Sequence, residues 1–131
     1  MNQIYASPYR LVGEEAGVRR LVDAFYDAME REPAFARLRA IHAPDLAAMR
    51  ARLADFLTGW LGGPRVYAER HPGRPCIFSA HTPFAIDADL ADQWMACMRG
   101  AFADSGTPEP FRALVDPALA SLCANLRCDR Y

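Results

Sequence analysis

Four stretches of this chain place apolar side chains at the three-and-four spacing of a helix face, and the first three are each closed by a breaker. In the first, Val18, Leu21, Val22, Phe25, Tyr26 and Met29 share one face, and Pro33 ends the pattern. A short helix or turn is expected from Pro33 to Arg39, then a loop carrying His42, Ala43 and Pro44. Asp45 is placed to cap the second stretch, whose face reads Leu46, Met49, Leu53, Phe56, Leu57, Trp60 and Leu61. Gly62-Gly63-Pro64 stops it, because glycine terminates a helix and proline cannot continue one. Asp87 or Asp89 can cap the third, with Ile86, Leu90, Trp94, Cys97, Met98, Ala101 and Phe102 inward, and Ser105-Gly106-Thr107-Pro108 breaks it. The fourth runs from about Pro110 to Arg127 through Phe111, Leu114, Val115, Leu119, Leu122 and Leu126. Asp116-Pro117 is expected to kink or restart it, since Asp suits a cap and Pro a first turn. Alanine is abundant while Val, Ile and Thr are few, which favours helix over strand. The expectation is an all-α fold in one domain, residues 1–131.

Charge and targeting patterns narrow the function classes. The net charge is −1 with no basic block, which argues against a nucleic-acid surface. No apolar run approaches the roughly 18 residues of a membrane span. The N-terminus lacks the basic flank and apolar run of a signal peptide, so a cytoplasmic address is expected. Cys76, Cys97, Cys123 and Cys128 form no Cys-x-x-Cys pair, so a structural zinc site is not expected and reduced thiols are.

Between the second and third helices lies an irregular stretch, Arg65 to Pro83, broken by Pro72, Gly73, Pro75 and Pro83. A connection of about 20 residues is uncommon unless it is functional or disordered. This one carries Tyr67, Cys76, Ile77, Phe78, His81 and Phe84 in or beside it, which would be costly to leave in water. A turn of helix near Ile77 to His81 fits, and the segment is expected to pack against something, a flat apolar cofactor being one candidate. His81 is the histidine set among apolar neighbours. Taken alone, such a histidine is more often a hydrogen-bonded structural residue than a ligand. No second His, Asp or Glu stands at i+3 or i+4 to build a zinc site, whereas haem asks for a single axial histidine. Tyr26 and Trp94 each continue an apolar helical face, so core packing alone accounts for them, although a buried O–H or N–H still needs an acceptor.

Phe25-Tyr26, Gly62-Gly63-Pro64, His81-x-Pro83-Phe84 and Trp94-x-x-Cys97-Met98 occur in that order. Together they resemble the truncated haemoglobins, specifically group II, over nearly the whole chain from Pro8-Tyr9 to about Asn125. The resemblance implies a globin-like two-over-two helical sandwich with a loop-rich proximal segment, around haem b (iron protoporphyrin IX). It implies His81 as the proximal iron ligand. It implies Tyr26 and Trp94 as hydrogen-bond donors to the bound ligand, with His42 as a third polar distal residue and Phe25 beside them. Met49 falls where longer globins use a distal histidine, and Leu53, Phe56 and Leu57 would line the pocket wall. Relatives usually carry a basic residue just before the proximal histidine, where this chain has Ala80, and an earlier His-Pro appears here as Arg74-Pro75. Propionate anchoring is therefore expected to shift to Tyr67, Arg70, His71 or Arg74, with Phe84 also against the haem. His71, beside Pro72-Gly73, otherwise reads as a surface residue.

The function implied is reversible binding of dioxygen, carbon monoxide or nitric oxide. Three converging donors extend it to nitric-oxide-detoxifying or peroxidase-like redox activity with a separate reductase. Monomer and homodimer both remain open. The rival is a haem-free globin-fold sensor or interaction module with its pocket filled by side chains, supported by Ala80 and the altered loop.

Overall fold

The computed structural model describes residues 7–72 and 86–126. Helix α1 spans Pro8–Val12, α2 Glu14–Arg31, α3 Ala36–Ala40, α4 Ala47–Trp60, α5 Tyr67–Arg70, α6 Ala88–Ser105 and α7 Glu109–Leu126, with a 3₁₀ turn at Pro33–Phe35. No strand occurs among the described residues. The long helices form two layered pairs: α2 packs on α4 and on α6, and α6 packs on α7. The all-α fold is the one that the helical periodicity predicts, and its two-over-two layering is the one that the family resemblance implies.

Local chemistry explains most boundaries. Ser7 Oγ accepts the Arg10 N–H to start α1. Gly13 (φ 104°) closes α1 and opens α2. The corner between them is tight, for a Cβ at Gly17 would lie 1.8 Å from the Val12 carbonyl oxygen. Asp45 Oδ1 accepts the Ala47 N–H at the start of α4, and Asp87 Oδ1 accepts the Leu90 N–H at the start of α6. Gly62 (φ 100°) lies in the turn that ends α4, where the Leu61 carbonyl takes the Tyr9 N–H and ties α1 to this end of the helix.

Two expectations about the fourth helix need correction. Of the two outcomes expected at Asp116-Pro117 it does not restart there; α7 is one helix with Pro117 inside it. Asp116 does not act as a cap. Its carboxylate takes two hydrogen bonds from Arg99 of α6, at 2.8 and 3.0 Å, and this cross-helix pairing supports the segment that Pro117 weakens. Leu114 is 55% exposed rather than inward. The buried row is Phe111, Val115 and Leu119, spaced by four, and Leu114 stands a hundred degrees off it.

The core is continuous through Val18, Leu21, Val22, Phe25 and Met29 of α2, Cys97, Met98 and Phe102 of α6, and Phe111 and Leu119 of α7. Charges pin the periphery. Arg50 of α4 reaches Asp23 and Asp27 of α2 at 2.9 and 2.8 Å. Arg37 of α3 holds Asp87 with two bonds (2.9 and 2.7 Å) and Asp89 with one (2.8 Å), at the start of α6. The Leu38 N–H donates to Gln93 Oε1, so α3 is docked on α6 by both its side chains and its backbone.

Candidate functional site

The packing of α2, α3 and α4 against α6 and α7 leaves a cavity of about 300 Å³. Helix α4 supplies Met49, Leu53, Phe56 and Leu57, the inward row of its period. Leu90, Ala91 and Trp94 come from α6, and Leu119, Leu122 and Cys123 from α7. Tyr26 enters from α2, His42 from the loop after α3, and Tyr67 from α5. Phe25 lies behind this wall rather than on it: it is fully buried, with its ring 5.0 Å from Tyr26 and 5.2 Å from Trp94. It fixes the orientation of both polar aromatics.

Among the described residues, no partner hydrogen-bonds the Tyr26 hydroxyl or the Trp94 indole N–H. Burial pushes the Tyr26 hydroxyl well above the ordinary phenol range, against the opposing pull of Arg50 and Arg52, so it stays a protonated donor. The Arg50 guanidinium sits over the Tyr26 ring at 5.7 Å, a cation–π contact that further fixes the ring. His42 meets Tyr26 edge to face at 5.9 Å, and its Nδ1–H donates to the Leu38 carbonyl at 2.8 Å. Two donors without protein acceptors thus border an apolar space. Burying such groups unpaired is costly unless something else accepts their hydrogen bonds.

The polar edge of the cavity is built differently from the sequence expectation. Tyr67 lines it, and its hydroxyl accepts from Arg52 Nη2 at 2.9 Å. Arg52 itself lines the cavity and was missed, because one charge beside Leu53 on an amphipathic helix reads as a solvated position. Arg70 and His71 turn away to a buried carboxylate instead. Asp55, 5% exposed, accepts from Arg70 Nη1 at 2.9 Å and from His71 Nε2 at 2.8 Å. His71 is thereby half-buried, its ring 5.1 Å from Tyr67, and is not the surface residue expected. Arg74, Phe84 and His81 lie outside the described residues, as does the helical turn expected near Ile77 to His81. Cys97 and Cys123 are buried free thiols, and Cys76 and Cys128 also lie outside the described residues.

A flat macrocycle with an apolar body and a carboxylate edge fits this donor set. The walls are aliphatic and aromatic, the cation Arg52 stands at one side, and two neutral donors stand at another. A bacterial-like globin family model matches residues 7–122. The chain is 39% identical over 101 residues to the group 2 truncated hemoglobin YjbI of Bacillus subtilis (strain 168), covering 77% of this chain and 73% of that one. The structure superposes on the group II 2-on-2 hemoglobin of Agrobacterium tumefaciens with a TM-score of 0.86 at 34% identity, over 97% of this chain and 98% of that one. It also superposes on a truncated oxygen-avid haemoglobin from Bacillus subtilis with a TM-score of 0.82 at 32% identity, over 93% and 99%. The fold and the matched family are those of a bacterial-like globin. Within that class, this chain belongs to the group II truncated haemoglobins. Membership of the family implies a haem cofactor.

Proposed function

We propose that the chain binds haem b through His81 and holds dioxygen reversibly beside Tyr26 and Trp94. The observation that carries this reading is a pair of donors, on buried Tyr26 and part-buried Trp94, that line an apolar cavity and have no hydrogen-bond acceptor among the described residues. The oxygen-avid relative from Bacillus subtilis supports it. When bound, the haem supplies a ferrous iron with one position open to a diatomic gas. His81 is the residue that the motif assigns to the iron, and Arg52 and Tyr67 are placed to meet a carboxylate edge. Leu53, Phe56, Leu57 and Leu90 keep water from the pocket. Tyr26 and Trp94 donate hydrogen bonds to dioxygen, and Phe25 holds their rings in place. His42 stands as the third polar group on that side. Carbon monoxide and nitric oxide fit the same space.

A redox use of the pocket, nitric-oxide detoxification or peroxidase-like turnover, would draw electrons from a separate reductase. The clustering of Tyr26, His42 and Trp94 favours it, because three polar groups exceed what simple release requires.

The purified protein should show a Soret band that shifts when carbon monoxide is added to the dithionite-reduced form. His81→Ala should lose stable haem or retain a form that added imidazole rescues. A colourless wild type would overturn the reading in favour of a haem-free module; an unchanged His81→Ala spectrum would remove His81 as ligand.

A further inference from the structure

The two buried thiols differ in what their S–H groups meet. Cys97 of α6 donates to the Phe25 carbonyl at 3.2 Å and is not part of the cavity wall. Cys123 of α7 stands one turn beyond Leu119, and both line the cavity together with Leu122. It is 8% exposed, and among the described residues nothing accepts its S–H. The wall that α6 and the turn before it supply, Ile86, Leu90 and Ala91, is apolar. The polar edge comes from elsewhere, Arg52 from α4 and Tyr67 from α5, and α7 packs chiefly on α6 and α1 rather than on α4. A second feature marks the same space as a ligand site: Tyr26, 3% exposed, brings to it a hydroxyl that no described residue hydrogen-bonds.

We propose that Cys123 bonds the haem covalently to α7, through a thioether to one of its vinyl groups. Resting on the haem reading above, the linkage is a second attachment, separate from the iron. Iron protoporphyrin IX carries two carboxylates along one edge and two vinyl groups on its apolar rim. The carboxylates belong with Arg52, so the vinyl-bearing rim belongs on the apolar walls, where Cys123 is the one thiol among the described residues. The S–H adds across the vinyl double bond. A C–S bond forms at the carbon next to the ring, and the thiol hydrogen ends on the outer carbon, which becomes a methyl group. Only the S–H bond and the vinyl π bond are broken, no electron is gained or lost, and no group departs. Burial, opposed by Arg99, pushes the Cys123 thiol up to about 12, so the sulfur brings its own proton. The thiolate is the better nucleophile, but holding sulfur and alkene side by side offsets its scarcity, since such confinement reaches effective concentrations of about 10⁵–10⁸ M. Reduction favours the step, because the electron-rich ferrous ring takes up a proton at the vinyl more readily. Ferric protein freshly loaded therefore holds its haem by non-covalent contacts and can still exchange it.

The haem-loaded protein, incubated with dithionite without oxygen and then extracted with acidified butanone, should keep its haem in the protein layer. Its intact mass should rise by that of one haem, and peptide mass spectrometry should find the adduct on Cys123. The pyridine haemochrome band should shift to shorter wavelength, because one vinyl group has left the conjugated system. Cys123→Ser should release all its haem into the organic layer. Protein loaded with mesohaem, whose vinyl groups are replaced by ethyl groups, should do the same. That arm leaves the chain unaltered, so the test stays decisive if Cys123→Ser folds poorly. Complete extraction of haem from the wild type after reduction, with a normal carbon monoxide spectrum beforehand, would overturn the linkage and leave the haem reading intact. An adduct that persists in Cys123→Ser would overturn it equally. Absence of a carbon monoxide spectrum in the wild type would instead remove the haem reading, and the linkage with it.

Discussion

At the scale of single residues, the proposed haem reading has the donors at the cavity rim act through the charge of the bound gas. Dioxygen held at a haem iron would be polarised and accept hydrogen bonds strongly, while carbon monoxide would stay close to neutral. Trp94→Phe keeps most of the ring against Phe25 and removes the N–H. A hydrogen bond to a charged acceptor contributes roughly 1.5–3 kcal/mol, so oxygen dissociation should accelerate about 10- to 150-fold if the bond is wholly lost in the transition state. Carbon monoxide dissociation should change little. Stopped-flow rates for both gases check this, and equal acceleration would mean that Trp94 acts by bulk. Tyr26→Phe should act in the same direction, and the double variant should be non-additive if both donors reach one atom. Tyr26 and Trp94 were legible in the sequence through the ordered motifs, and Leu53, Phe56 and Leu57 through the helical period. Arg52 was not, because its partner Tyr67 stands fifteen residues away and only the fold brings them together. The same is true of Asp55, whose pairing with Arg70 and His71 crosses the Gly62-Gly63-Pro64 break.

At the scale of elements, α5 has four residues, too short to be stable alone. Asp55 helps fasten it to α4, beside the bond from Arg52 to Tyr67. Asp55→Asn keeps the shape and removes the charge, weakening both bonds to α5 and loosening Tyr67 at the cavity edge. Because Arg70 is about half exposed, the loss is discounted to about 1 kcal/mol. That corresponds to roughly fivefold faster haem transfer to an apoglobin acceptor. Transfer at the wild-type rate would show that α5 stays docked without the carboxylate. The long helices were readable because each carries a full apolar face and the first three end on a breaker; the cap at Asp87 follows local chemistry, whereas Asp45 stands one residue before the N-cap Leu46 and takes the Ala47 N–H instead of capping α4. Helix α1 was not, since five residues give no period to count. That α7 continues through Pro117 rather than restarting there was not fixed by the local sequence, because its support comes from Arg99 of α6, which lies 17 residues before Asp116.

At the scale of the whole molecule, the layers are joined at their rims by arginine–carboxylate pairs, and this sets the response to acid. Arg37 foremost, together with the Leu90 N–H, holds the Asp87 carboxyl down at about 2, and Arg99 lowers Asp116 likewise. A carboxyl whose pKa is depressed on folding contributes stability above its unfolded value, near 4, and loses it as the pH falls through the folded value. The helical signal should therefore be insensitive to these groups above pH 5 and fall between about pH 4 and 2. Arg37→Gln should shift the acid midpoint upward in a circular dichroism titration; an unshifted midpoint would show that the α3–α6 pairing carries no linkage. Since α3 also holds Leu38 and the histidine beside it, acid should loosen this corner early.

Cys123 lines the cavity, and burial pushes its thiol up to about 12, as it does for Cys97, whose Sγ–H donates to the Phe25 carbonyl at 3.2 Å. At neutral pH Cys123 is therefore held as the thiol. Sulfur is oxidised through the thiolate, so a pocket that admits oxidising gases would consume an ionised cysteine in its own wall. Keeping that sulfur protonated gives the chain chemical durability: a wall cysteine held as the thiol resists being spent by an oxidising gas in the cavity.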